Sequence, residues 1–235
     1  TTEIYTLSLH DALPIFFRQM DDPKPARGGR FAGVDYFNGG LFSKVEPIEL
    51  TPKELGLLFD ATKEKWQFVQ PVIFGTLFEG SLGKEERHAL GAHFTYEADI
   101  QKIVRPTIAR PWNERIAAAK SAKELRQLLT ELRKFRVLDP ACGSGNFLFV
   151  AYRALRELEQ HLLLKLFAVS REAFGAIGLA SGISPRNFFG LDINENAVET
   201  AKVTLMLARR IAHREAERFW RSEEHTSELQ SLAYL

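Results

Sequence analysis

A single cysteine, Cys142, stands among 235 residues. That scarcity excludes a disulfide framework and any multi-cysteine metal site, and it points to a reducing, cytoplasmic setting. Net charge is also missing: 31 Lys and Arg against 30 Asp and Glu leave a formal +1. No bulk field therefore draws the chain to a polyanion. No apolar run approaches the roughly 20 residues that a spanning helix needs. The start of the chain has no basic segment ahead of an apolar core, so neither a membrane partner nor a signal peptide is expected. The six His are scattered without metal-ligand spacing, and no metal is expected. Internal repeats and low-complexity tracts are absent.

The composition that remains, 45% hydrophobic and 26% charged with mean hydropathy -0.17, is that of a soluble globular chain of one domain or slightly more. The charge is unevenly spread. Between Gln101 and Arg136 ten Lys or Arg face three Glu. Two readings stand for that stretch: a solvated helix face, or a surface that meets phosphates.

Both ends are set apart. TLSLHDALPI, within Thr1–Ile15, and RSEEHTSELQS, within Arg221–Leu235, resemble the in-frame translation of sequencing-library adaptor DNA and do not read as structure. The biological segment is then Phe16–Trp220, a piece of a longer reading frame. It divides into a helical connector over 16–84 and the beginning of an α/β domain over 85–220, flanked by non-native tails at 1–15 and 221–235.

Density of Pro and Gly makes Phe17–Leu50 irregular, with a turn in DYFNGGLF (Asp35–Phe42) whose aromatics dock on neighbouring helices. Thr51-Pro52 with Glu54 opens a helix through a capping box, and Leu55, Leu58 and Phe59 give it a core face. A second core helix follows Pro71 in IFGTLFEG (Ile73–Gly80). GAHFTYEADI (Gly91–Ile100) leads into an amphipathic helix marked by Ile100, Ile103, Val104 and Ile108. Ala117–Phe135 is predicted as one helix with a leucine stripe.

The chain is organised around RVLDPACGSGNFLFV (Arg136–Val150). Val137-Leu138 predicts a short buried strand ending on Asp139. The turn Gly143-Ser144-Gly145 follows, and a long helix runs on through Leu148–Phe167. After a Gly-rich loop, NFFGLDI (Asn187–Ile193) predicts a second buried strand that delivers Asp192, and another amphipathic helix succeeds it. Strand, acid, glycine turn and helix is how an open α/β sheet builds a ligand site at its strand ends. The glycines admit close backbone approach, and the helix start offers unpaired N–H groups.

The chemistry of the two acids narrows the ligand. Asp192 is placed to accept from both hydroxyls of a ribose. A nicotinamide dinucleotide wants a third glycine where Leu148 stands, and the phosphate-loop pattern lacks its Gly-Lys-Ser/Thr. An acid ahead of the loop would repel a pyrophosphate but suits a cationic group. S-adenosylmethionine, with its ribose, amino-acid head and sulfonium, fits both acids and the turn together. Cys142 is a small residue in a tight turn; no base stands near it in sequence to activate it as a nucleophile.

DPACGSGNFL (Asp139–Leu148) resembles the cofactor-binding motif of DNA adenine amino-methyltransferases. Gly91–Ile100 resembles the motif ahead of it, with Phe94-Thr95-Tyr96 where the family carries Tyr-Thr-Pro. GLDIN (Gly190–Asn194) resembles the ribose motif, and DYFNGGLF and IFGTLFEG are similar to the connector of single-chain restriction–modification enzymes. The resemblance implies the start of a Rossmann-like class I methyltransferase domain, a doubly wound sheet cut short, behind a mostly helical connector. It implies S-adenosylmethionine as cofactor and double-stranded DNA as partner of the full-length enzyme. Asp139 and the Gly143/Gly145 turn would hold the methionine part, Thr95 and its neighbours the carboxylate, Asp192 the ribose, Ile193 the adenine, and Phe147 would line the pocket. Phe94, Ala141 and Asn146 complete the implied cofactor set.

The family polarises its target amine with an Asp/Asn-Pro-Pro-aromatic motif on a later strand. This sequence has none, since Pro185 stands alone after Pro140. No catalytic residue is therefore assigned, and the segment is expected to hold cofactor without turning over. A methyltransferase acting on RNA or protein, and a non-catalytic nucleic-acid-binding connector, remain as alternatives.

Overall fold

The computed structural model describes residues 9–24, 27–34, 36, 42, 45, 49–65, 73–81, 95–177 and 182–221. The chain divides into two compact units, Thr1–Gln70 and Pro71–Leu235.

In the first unit, α1 (Leu9–Asp21) carries Pro14 within it. The helix begins inside the stretch set apart as adaptor-like, so Leu9–Ile15 does take up structure. Its Phe17 stacks on Phe42 with ring centroids 5.0 Å apart, while Phe16 meets Phe31 at 5.3 Å. Most of DYFNGGLF lies outside the described residues. α2 (Pro52–Lys63) opens as predicted: Glu54 N–H donates to Thr51 Oγ1, and Thr51 N–H donates to Glu54 at 2.8 Å. Its core role is corrected. No residue of α2 is buried, and Leu57, Leu58 and Phe59 are all exposed. Capping chemistry is local and survives without a partner surface; burial of an apolar face does not.

The second unit begins with α3 (Ile73–Ser81). Sequence placed this helix in the connector, whereas the division of the chain falls ahead of it. Ile73 and Leu77 are exposed and Gly75 is buried.

Next comes a continuous helical rod formed by α4 (Glu97–Val104), a π-turn (Arg105–Ala109) and α5 (Arg110–Ala118). Its buried residues are Ile100, Val104, Ile108, Trp112 and Ile116, each four apart. In an unbroken α-helix four residues turn about 400°, so such a stripe drifts by about 40° per step. The π-turn accommodates one extra residue and brings the stripe back to the same face. The single helix predicted for Ala117–Phe135 is broken: Ser121 caps a new one, α6 (Ala122–Lys134), with a capping box to Glu124. Leu125, Leu128, Leu129 and Leu132 form its buried stripe.

β1 (Val137–Asp139) leads through the glycine turn into α7 (Asn146–Val169). α7 is the core helix of the unit. It buries residues along its whole length, from Leu148 and Phe149 to Leu163 and Leu166, and packs against α4, α6, β1 and the two helices that follow. Glu159 is a buried charge within it, 1% exposed, and is satisfied by Arg133 Nε at 2.9 Å, Arg156 at 2.8 Å and the Gly182 N–H at 2.8 Å.

After α8 (Arg171–Gly175) and a 3-10 turn (Pro185–Asn187), β2 (Phe188–Gly190) pairs with β1 in parallel, Val137 opposite Phe188 and Asp139 opposite Gly190. α9 (Glu195–Arg221) closes the unit. Asn187 sets the register. Its buried Nδ2 donates to the carbonyls of Arg133 and Phe135, both at 2.9 Å, tying the end of α6 to the start of β2.

The described sheet is thus a two-stranded parallel pair joined by a helical crossover, shorter than predicted and buried on one face only. Successive side chains of a strand point to opposite faces. Val137 and Phe188 are buried, and Tyr152 of α7 packs on Phe188 at 5.4 Å, whereas Leu138 and Phe189 are exposed.

Candidate functional site

The ladder between the strands continues beyond their ends and shapes the loop. Leu191 N–H donates to the Asp139 carbonyl at 2.9 Å, and Cys142 N–H donates back to the Leu191 carbonyl at 2.8 Å. The glycine turn is therefore zipped to the residues that follow β2. Gly145 N–H closes the turn onto the Cys142 carbonyl at 2.8 Å. Gly143 and Gly145 take φ of 50° and 85°, the left-handed region that favours glycine.

Gly145 has a second reason to be glycine. A Cβ there would lie 2.9 Å from both Cα and Cβ of Ala201 on α9. At Gly190 it would lie 2.7 Å from Cys142 Sγ, and at Gly75 it would lie 2.5 Å from Ser144 Oγ and 3.0 Å from Asn146 Nδ2. The loop is thus approached by α9, by the end of β2 and by α3.

The two acids meet here. Asp139 accepts from Ala141 N–H at 3.1 Å. Asp192 accepts from Gly143 N–H through Oδ2 and from Asn194 N–H through Oδ1, both at 2.9 Å. Burial first, and the Asp192 carboxylate besides, hold the Asp139 carboxyl above its ordinary value against the opposing Ala141 hydrogen bond. Burial and the same two carboxylates push the Cys142 thiol up to about 11, so it is not a nucleophile at neutral pH. The site is an electronegative corner lined by backbone amides. It can hold a cation beside Asp139. A carboxylate has about four acceptor positions, so Asp192 can take hydroxyls beyond its two amides. Asn146 at the head of α7 is buried, and its Oδ1 has no partner among the described residues.

Of the sequence candidates, the structure gathers Asp139, Ala141, Gly143, Gly145, Asn146 and Asp192 in one loop cluster. Ile193 follows Asp192 and is 83% exposed. Phe147 is half-buried and packs against the hydrophobic core. Thr95 is exposed just ahead of α4, and Phe94 lies outside the described residues. Sequence reasoning missed Gly75, Thr204 and the close approach of Ala201. A row of small residues on one stripe of α9, Ala197, Ala201, Thr204 and Ala208, was the available signal.

The basic stretch is largely spent within the protein. Lys102 pairs with Asp99, Arg110 with Glu114, Arg115 with Glu131 and Arg133 with Glu159. Arg126 donates to the Ala173 carbonyl, and Arg136 lies over the Phe189 ring. Among the described residues no His, Cys, Asp or Glu cluster could hold a metal, and no helix is long and apolar enough to cross a membrane.

A parallel β-α-β unit with an acid at each strand end and a glycine turn between them defines a methyltransferase-like α/β fold, and a solved structure agrees. The Type IIL restriction–modification enzyme MmeI, solved in complex with DNA, matches 89% of this chain with TM-score 0.76 and 28% identity. Residues 115–231 match the family described as "MmeI, DNA-methyltransferase domain". DNA methyltransferase A of Bacillus subtilis (strain 168) is 31% identical over 176 residues, 74% of this chain. The adenine-specific methyltransferase BrxX of Escherichia coli O9:H4 (strain HS) is 24% identical over 238 residues, 86% of this chain. The chain spans 20% and 17% of the lengths of these two relatives, and 29% of the MmeI chain.

Proposed function

We propose that this chain is the S-adenosylmethionine-binding part of a restriction–modification enzyme that methylates the exocyclic amine of adenine in double-stranded DNA. The observation that carries the reading is the corner formed by Asp139, the Gly143/Gly145 turn and Asp192. Its excess of negative charge suits a sulfonium and an ammonium, and its backbone approach suits a ligand with no room to spare. The buried Asn146 Oδ1, without a partner among the described residues, adds an acceptor beside the turn. S-adenosylmethionine, when bound, supplies an electrophilic methyl group.

The residues of this chain bind and orient. Asp139 and the turn hold the methionine part, with Thr95 at its carboxylate. Asp192 accepts from the ribose while it holds the loop. Ile193 offers an exposed apolar surface for the adenine, and Phe147 backs the pocket. Adenine as target is favoured by the likeness to BrxX, and DNA as partner by the likeness to MmeI. With no Asp/Asn-Pro-Pro-aromatic motif in the sequence, the chain alone binds cofactor without methyl transfer. The tails 1–15 and 221–235 take no part.

Calorimetric titration with S-adenosylmethionine tests the reading. The expected result is saturable binding that Asp139→Asn weakens by about tenfold or more, the factor that the loss of about 1.4 kcal/mol gives. Binding unchanged in Asp139→Asn would overturn the assignment of this corner.

A further inference from the structure

Threonines within helices commonly turn their hydroxyl back to the carbonyl four residues earlier. Thr107 does so to Ile103, Thr130 to Arg126 and Thr200 to Asn196, at 2.7, 2.9 and 2.7 Å. Thr204, one turn beyond Thr200 on α9, does not. Its side chain is fully buried, and its hydroxyl donates at 2.9 Å to the carbonyl of Ser144, 60 residues away in the glycine turn.

The other side of that same peptide is also held. The carbonyl and N–H of a trans peptide point in opposite directions, and the N–H of the Ser144–Gly145 peptide is Gly145 N, which donates to the Cys142 carbonyl. One peptide plane is therefore pinned from both edges, by α9 on one side and by the turn itself on the other. Rotating it would break both bonds and would carry Gly145 out of its left-handed conformation.

We infer that Thr204 is a positioning residue for the cofactor loop: its hydroxyl fixes the Ser144–Gly145 peptide and with it the presentation of the turn to the ligand. This rests on the reading that the turn binds S-adenosylmethionine, but the loop can be followed without it. Cys142 is the sole cysteine of the chain and is 5% exposed, so its rate of modification by Ellman's reagent reports opening of the turn.

Thr204→Val keeps the shape and removes the donor; Thr204→Ser keeps the donor. Thr204→Val should be labelled about tenfold faster than wild type and should bind S-adenosylmethionine correspondingly more weakly, with Thr204→Ser close to wild type in both. Leu166→Ala, at the far end of α7, serves as a control for general loss of stability, compared at matched distance below the melting temperature. Thr204→Val labelled no faster than that control, or Thr204→Ser behaving as Thr204→Val, would overturn the inference. A labelling difference that persists where wild type binds no S-adenosylmethionine would instead retain Thr204's hold on the loop and overturn the cofactor reading.

Discussion

Gly143 N–H donates to Asp192 Oδ2 at 2.9 Å across 49 residues of sequence. The acid at the end of the second strand therefore shapes the loop at the end of the first. Hydrogen bonds to a charged group contribute about 1.5–3 kcal/mol each, and a buried donor left unpaired costs more than the bond's mean worth. Asp192→Ala should lower the unfolding free energy by about 2 kcal/mol or more, read from the urea midpoint, and should weaken cofactor binding with it. Asp192→Asn, which keeps one acceptor oxygen, should recover part of the stability.

Asp139 should trade stability for binding. Its folded pKa lies above the ordinary 3.8, so the folded state holds the proton more tightly than the unfolded chain does. Its contribution is fully present below about pH 3.8 and is lost as pH rises through the raised value. Asp139→Asn should therefore melt higher than wild type at pH 7, and the gap should close as pH falls toward 3.8. The same variant loses affinity for a cationic ligand. Equal melting temperatures at pH 7 and pH 4 would contradict this.

Gly145→Ala meets two separate obstacles. The left-handed conformation at φ 85° costs a residue with a Cβ about 1–2 kcal/mol. The contact with Ala201 adds overpacking of about 1–3 kcal/mol. A total loss of about 2–5 kcal/mol is expected from the two. In the double variant Gly145→Ala/Ala201→Gly only the packing share owed to the Ala201 Cβ should return, because the Ala201 Cα stays 2.9 Å away, while the conformational share stays, which a double-mutant cycle in urea measures.

Glu159 tests the scaffold apart from the site. Glu159→Ala leaves Arg133, Arg156 and the Gly182 N–H without their shared acceptor. Breaking a buried ion pair from one side costs about 3–5 kcal/mol. The expected outcome is that loss in denaturant, with little change in cofactor affinity at temperatures where the variant remains folded. A shift in affinity as large as that of Asp192→Ala would show that the network reaches the loop.

What the sequence disclosed was whatever is written locally. The glycine turn with Asp139 ahead of it, the strand end at Asp192 and the capping box at Thr51 are each written within a few residues, and each appears where the sequence places it. α7 was legible because its leucines recur over many turns. The break at Ser121 was also legible through Ser121 and Glu124, but the leucine stripe of α6 masked it. The π-turn left no local trace, because spacing of four looks helical whether or not the phase is corrected. The exposure of α2 and of one sheet face depends on which surfaces meet, and composition carries no record of that. Gly75, Thr204 and Ala201 act on the loop from distant positions, so no window around Asp139 contains them.

The order of synthesis gives that distance a consequence. The turn leaves the ribosome first, Asp192 follows, and Thr204 follows later still. Until α9 emerges, Asp192 already holds Gly143, but the Ser144 carbonyl lacks Thr204 and Gly145 lacks the Ala201 contact, so a nascent chain halted before Thr204 would leave the Ser144–Gly145 peptide held from one edge only. The glycine turn is thus completed from its C-terminal side, and α9 acts as the closing step of its assembly.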